Sequence, residues 1–205
     1  MSSTADLTFR PFVGDPELLA DYLGRDRVLR HGHFRLLSGL HTEHFLAFSQ
    51  IAQDRQAVRR IASDLAAVCG PWAASVVLAP STAGVALGGE LAGALDAALH
   101  LASLDETGRA NGVLGDPNLK GARVLLVNDV ITTGDGLVAL RDVADAAGAE
   151  VAGAACFGTR ANIDVAERLE IPLALSVGLS LATFPADQCP MCADGSEPID
   201  ALDIN

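Results

Sequence analysis

The residues of this 205-residue chain best equipped for chemistry are Asn128, Asp129, Val130, Ile131, Thr132, Thr133, Gly134, Asp135 and Gly136, which run consecutively. Thr132 and Thr133 supply hydroxyls, and Gly134 and Gly136 let backbone approach a ligand closely. A helical pattern opens near Leu137, so free N–H groups and the positive end of a helix dipole face the same point. These features make a cradle for a phosphate group. Upstream, Val124 to Val127 is a short, continuous apolar run, as expected of a strand covered on both faces in a parallel sheet. Asn128 and Asp129 fall where that strand should end, in the crevice where open α/β sheets bind ligands. A carboxylate there can hold ribose hydroxyls while backbone amides hold the phosphate, so the implied ligand is a ribose 5-phosphate.

A second strand-to-helix turn, Pro80-Ser81-Thr82-Ala83-Gly84, has two hydroxyls and a glycine and could bind another anion through backbone N–H groups. By itself it is a common packing device.

Positioning these turns requires alternating strands and helices. Asp15-Pro16-Glu17 opens a helix, with Asp15 as N-cap and Pro16 at the first position, expected to end near Leu29. A short strand is predicted at Phe34 to Leu37, and helix-period apolar residues run from Ser49 to Val68 and stop at Gly70-Pro71. Further strands are predicted at Ser75 to Ala79, Ala98 to Ser103, Val151 to Phe157 and Leu173 to Val177. Further helices are predicted from Gly84 to about Ala98, from Leu137 to Ala147 and from Ile163 to Leu169. Asp105 to Asn118 is polar and glycine-containing, and reads as a mobile loop. The alternation predicts an α/β fold, and half of the residues are hydrophobic, enough to bury one sizeable core. A net charge of -12 opposes non-specific binding to nucleic acid or to an anionic membrane. No leader-like segment and no long apolar span is seen, so a cytoplasmic protein is expected.

The run from Arg123 to Gly136, a strand followed by an acid, two apolar residues and Thr-Thr-Gly, resembles the phosphoribosyl pyrophosphate (PRPP) signature of the type I phosphoribosyltransferases. Gly32 to Phe45 (G-H-F-R-L-L-S-G-L-H-T-E-H-F) is similar to the amino-terminal segment of the orotate branch. Phe184-Pro185 and Cys189-Pro190-Met191-Cys192 resemble the tail of one group within that branch. The resemblance runs from about residue 15 to 195. It implies a mostly parallel, Rossmann-like sheet flanked by helices, forming a single domain with its core at about 50–178. A small hood would come from about 15–48 and 179–200.

The resemblance also implies transfer of 5-phosphoribosyl from PRPP to a nitrogen of orotate or a related heterocycle, with release of pyrophosphate. Asn128, Asp129, Ile131, Thr132, Thr133, Gly134, Asp135 and Gly136 would bind the ribose phosphate. Ser81, Thr82, Ala83 and Gly84 would bind the pyrophosphate, and Arg160, Phe45 and Leu37 the base. Asp129 and Arg109 would be catalytic, and Mg²⁺ would be held through PRPP with Asp129 a candidate for its coordination. A homodimer is implied as well.

Several positions depart from the family pattern. Asn128 stands where the first acid is usual, and Asp135 where Thr or Gly usually lies beside the 5-phosphate. A carboxylate about 4 Å from a phosphate costs about 4 kcal/mol per charge pair at an effective dielectric near 20. Leu37 occupies a position that is often Lys or Ser. The loop lysine that stabilises departing pyrophosphate is missing: Lys120, the chain's single lysine, lies just before the signature strand. Arg109 is the only cation in the Ser103 to Gly112 loop. These departures leave open a same-fold transferase for another acceptor, as in secondary metabolism, or a PRPP-binding protein with little turnover.

Cys189 and Cys192 form a C-x-x-C, half of a tetrahedral metal site, with no second C-x-x-C or H-x-x-x-H in the sequence to complete it, which leaves a structural zinc shared across a dimer or a reversible disulfide as open readings. His31, His33, His41 and His44 lack metal-site spacing and read as pocket or surface residues. Cys69 and Cys156 read as buried core thiols.

Overall fold

The computed structural model describes residues 9–11, 13–25, 27–36, 38–82, 84–115, 117–160, 169–179, 181–201 and 204. Capping chemistry sets the helix starts. Helix α1 (Pro16–Leu23) opens with the Asp15 carboxylate accepting the N–H groups of Glu17 and Leu18 at 3.0 and 3.3 Å, as its sequence predicts. It stops at Gly24 rather than near Leu29. The N–H groups of Val28 and Leu29 turn back onto the Arg25 carbonyl, and strand β2 (Leu29–Arg35) begins there.

The helical pattern expected as one element over Ser49 to Val68 is two helices, α2 (Phe48–Ala52) and α3 (Arg55–Cys69). Asp54 divides them. Its carboxylate accepts from Gln56 and Ala57 at the start of α3 and from the Tyr22 hydroxyl of α1, so the chain leaves helical geometry at that point.

The main sheet has seven strands. In chain order they are β1 (Phe9–Pro11), β4 (Val76–Pro80), β5 (Ala98–Leu104), β6 (Ala110–Val113), β7 (Arg123–Ile131), β8 (Glu150–Thr159) and β9 (Leu173–Leu179). Their spatial order is β1-β9-β8-β7-β4-β5-β6, in which β9, β8, β7, β4 and β5 run parallel and β1 and β6 are antiparallel edges. Strand β6 lies inside the segment read from sequence as an irregular loop, where its pairing with β5 overrides a composition poor in strand formers.

Helix α4 (Gly84–Leu95) joins β4 to β5, and α5 (Asp135–Ala146) joins β7 to β8. Asp96, with φ of 52°, turns the chain out of α4 earlier than expected. The parallel strands are apolar on both faces. Val77, Leu125, Val127 and Phe157 pack with Leu87 and Leu91 of α4 and with α3, while Leu78, Val124, Leu126 and Cys156 pack with Leu137 and Leu140 of α5. The helix expected over 163–169 falls, apart from Leu169, outside the described residues.

A second, three-stranded sheet comprises β2, β3 (His41–Leu46) and β10 (Ile199–Asp200), in the order β10-β2-β3. Near it, the short helix α6 (Pro190–Ala193) begins directly after Cys189. Among the described residues no helix is long and apolar enough to cross a membrane.

Candidate active site

From β4 the chain runs through α4 to β5 on one side, whereas β7 lies on the other side of β4 and leads through α5 to β8. The order therefore reverses between β4 and β7, which is where an open α/β sheet forms a ligand crevice at its carboxyl edge. Val76, Val77 and Leu78 pair with Val124, Leu125 and Leu126, so the Pro80 to Gly84 and Thr132 to Gly136 turns open from neighbouring strands. The Asn128 side chain bridges them. A Cβ placed on Gly84 would lie 3.8 Å from Asn128 Oδ1, and one on Gly136 would lie 3.1 Å from its Nδ2.

Strand β7 extends four residues beyond Val127, so Asn128 and Asp129 belong to the strand rather than following it. Asn128 Oδ1 accepts the Asp129 N–H at 2.9 Å, and Asp129 Oδ1 accepts the Val130 N–H at 2.7 Å. Desolvation raises the pKa of the Asp129 carboxyl, opposed by that backbone hydrogen bond. Ile131 is packed into the core and its carbonyl accepts the Arg160 N–H at 2.9 Å. Gly134 has φ of 87°, a conformation glycine adopts without strain, and caps α5 without a side-chain hydrogen bond. The Asp135 N–H at the start of α5 donates to Thr133 Oγ1 at 3.4 Å, so helix donors for an anion must come from the residues that follow it.

Asp135, which is exposed, accepts the Thr133 hydroxyl at 2.8 Å through Oδ2. Its carboxylate is thereby held by the side chain two residues earlier. In the second turn Ser81 and Thr82 are exposed, but the Ser81 N–H already donates to the Ala102 carbonyl at 3.2 Å. Backbone donors for a ligand must come from beyond Ser81. Ala83 and Leu37, both expected site residues, lie outside the described residues.

Arg109 lies in the turn between β5 and β6, where Asp105 Oδ1 accepts the N–H groups of Thr107 and Arg109. Its guanidinium reaches Asp142 on α5 at 3.2 Å. Arg160 follows β8 directly and is only 3% exposed. Its Nη2 donates to Thr42 Oγ1 at 2.9 Å and to the His44 carbonyl, tying the carboxyl end of β8 to β3. Its Nε is buried with no partner among the described residues, and burial lowers its pKa to about 10, so the side chain remains a cation at neutral pH. Phe45 packs its ring on Phe34 at 5.8 Å.

Two expectations about the other polar residues need correction. His33 and His41 are buried, not surface residues, and they meet Cys189 and Cys192 in one cluster. A second C-x-x-C or an H-x-x-x-H would supply the missing pair from one local segment. Here the partners come from adjacent strands of a hairpin, and the tail returns to them across more than a hundred residues. The register also shifts by one between His31 and Phe34, so simple alternation assigns His33 no face. Cys69 and Cys156 are buried as expected, and burial pushes the Cys69 thiol up to about 12.

Two glycine-bearing strand-to-helix turns at the β4/β7 switch point define an α/β protein with a ligand crevice at the carboxyl edge of its sheet. The phosphoribosyl transferase domain family matches residues 47–168, and the chain belongs to the phosphoribosyltransferase family. Its relatives include the orotate phosphoribosyltransferase of Sulfurimonas denitrificans, 31% identical over 195 residues, covering 87% of this chain and 94% of that one. The orotate phosphoribosyltransferase of Sphingopyxis alaskensis is 33% identical, covering 90% and 94% respectively. The crystal structure of orotate phosphoribosyltransferase from Aeropyrum pernix superposes with a TM-score of 0.64 at 26% identity, covering 78% of this chain and 91% of that one.

Proposed function

We propose that this chain is an orotate phosphoribosyltransferase, moving 5-phosphoribosyl from PRPP to a ring nitrogen of orotate and releasing pyrophosphate. The observation that carries the reading is the pair of turns opening side by side at the β4/β7 switch point, one for each phosphorylated end of PRPP. The α5 turn, with Thr132, Thr133, Gly134 and Gly136, receives the 5-phosphate, and the turn leading into α4 receives the pyrophosphate. Asp129, next to Asn128 on β7, is assigned the ribose. It orients ribose hydroxyls and faces the positive charge that develops on the sugar ring as pyrophosphate departs. Arg160 offers its Nε, which has no partner among the described residues, and its retained charge to a planar, anionic base.

Asp129, a desolvated carboxylate beside two anion turns, also suits Mg²⁺, which is commonly held by one or two carboxylates together with substrate phosphates. Bound there through PRPP, the ion would neutralise charge on the leaving pyrophosphate. The same reading carries the expected homodimer and cytoplasmic setting.

The test is pyrophosphate release from PRPP and Mg²⁺ in the presence of orotate and a panel of other heterocyclic bases. Orotate-dependent release is the expected result. Release with another base alone would replace orotate as the acceptor, and PRPP binding without release on any base would defeat the transferase reading.

A further inference from the structure

We infer that His33, His41, Cys189 and Cys192 form a tetrahedral zinc site that fastens the carboxyl-terminal tail to the β2–β3 hairpin. One donor atom from each residue lies within 4.8 Å of all the others. His33 Nε2 is 2.9 Å from His41 Nδ1, 3.5 Å from Cys189 Sγ and 3.7 Å from Cys192 Sγ, while Cys192 Sγ is 3.3 Å from His41 Nδ1. With ordinary Zn–N and Zn–S bond lengths, a tetrahedral ion holds its ligands about 3.3 Å apart for two nitrogens, about 3.6 Å for nitrogen and sulfur and about 3.8 Å for two sulfurs. The four separations lie within about 0.4 Å of those of such a cage, the two imidazole nitrogens sitting closest at 2.9 Å.

The surroundings of His33 strengthen the assignment. Its Nδ1 is 3.0 Å from the Ser196 carbonyl, which can only accept, so the ring proton belongs on Nδ1 and the Nε2 lone pair points into the cluster. A ligating histidine typically has this arrangement, its other nitrogen donating to a carbonyl that fixes tautomer and orientation. His41 is held by reciprocal backbone hydrogen bonds with Phe184 at 2.8 and 2.9 Å. Its neighbour Thr42 accepts from Arg160 and donates to the Ala182 carbonyl. His33, His41 and Cys189 are buried and Cys192 is partly so. Two thiolates and two neutral imidazoles around a divalent ion give a neutral centre, which suits burial. Four protein ligands close the coordination sphere, so the ion is structural rather than catalytic. Thiolate and imidazole donors favour zinc over the hard, oxygen-seeking Mg²⁺.

The experiment uses the full-length, untagged protein purified from zinc-supplemented medium. Metal analysis should find one zinc per chain, and X-ray absorption at the zinc edge should find two sulfurs at about 2.3 Å and two nitrogens at about 2.0 Å. Cobalt added to the metal-free protein should give the intense thiolate charge-transfer absorption of a tetrahedral site. Cys192→Ser should lose stoichiometric zinc, whereas replacing the exposed His31 by Gln should not. Chelation should lower the thermal midpoint and open the tail to protease. If Cys192→Ser does not fold, the absorption data on the unaltered protein decide alone. A protein that holds no zinc and gives no thiolate-to-cobalt absorption overturns the inference. So does a Cys189–Cys192 disulfide that still binds no metal after reduction, or a zinc shell lacking sulfur.

Discussion

In its proposed role Asp129 carries a negative charge in a place that disfavours it. Desolvation raises its pKa above the ordinary 3.8, so the folded protein binds this proton more tightly than the unfolded chain does. Stability from this group is therefore greatest at low pH and declines as pH rises through the raised value. Replacement by a neutral isostere removes that penalty, because an asparagine carbonyl can still accept the Val130 N–H. Asp129→Asn should raise the thermal midpoint at neutral pH, with the gain vanishing below the unfolded pKa, and should lower kcat/KM by about 10²- to 10³-fold. Unaltered turnover would remove Asp129 from the site. The residue types around it were legible in the sequence, since Thr-Thr-Gly between a strand and a helix has few other uses. What Asp135 does was not, because only coordinates reveal that it takes the hydroxyl of Thr133.

At the scale of elements, parallel strands and their helices were readable because burial on both faces leaves continuous apolar runs. The edges were not. Strand β6 has no apolar pattern of its own, and β10 is two residues long, so both exist through their pairing partners. Likewise the histidine and cysteine cluster needs a hairpin and a returning tail, neither of which leaves a local mark. The β5–β6 hairpin brings Arg109 to Asp142 in an exposed pair, worth about 0–1 kcal/mol, which is too little to hold the guanidinium when pyrophosphate arrives. Arg109→Ala should therefore lower kcat by up to about 10²- to 10³-fold with little change in stability, and Asp142→Asn should leave kcat intact or raise it. Equal activity of Arg109→Ala and the unaltered protein would show that the hairpin plays no part in chemistry. Helix α4 is held close to β4 by Gly88, where an added Cβ would come within 2.9 Å of the Ala79 side chain. Gly88→Val should cost about 1–3 kcal/mol in urea unfolding, and should raise KM for PRPP by displacing the turn at the start of the helix.

The molecule as a whole carries a net charge of -12, yet the proposed substrates are both anions. Local cations do not reverse this field. Arg109 is paired with Asp142, Arg160 is buried, and Asp129 and Asp135 add negative charge along the run from β7 into α5. Each substrate therefore approaches against repulsion, and is held only by groups that act at short range, the helix N-termini and backbone donors for phosphate and the buried Arg160 for the base. Screening discriminates between the two effects. The Debye length shortens from about 30 Å at 0.01 M salt to about 10 Å at 0.1 M, which weakens the approach barrier while leaving contacts of about 3 Å little changed. At fixed Mg²⁺, kcat/KM for orotate should thus rise severalfold over that range, opposite to the fall expected of a site that steers anions inward. A fall would mean that the buried charge of Arg160 dominates the potential at the crevice mouth, and that the acidic surface lies too far away to be felt there.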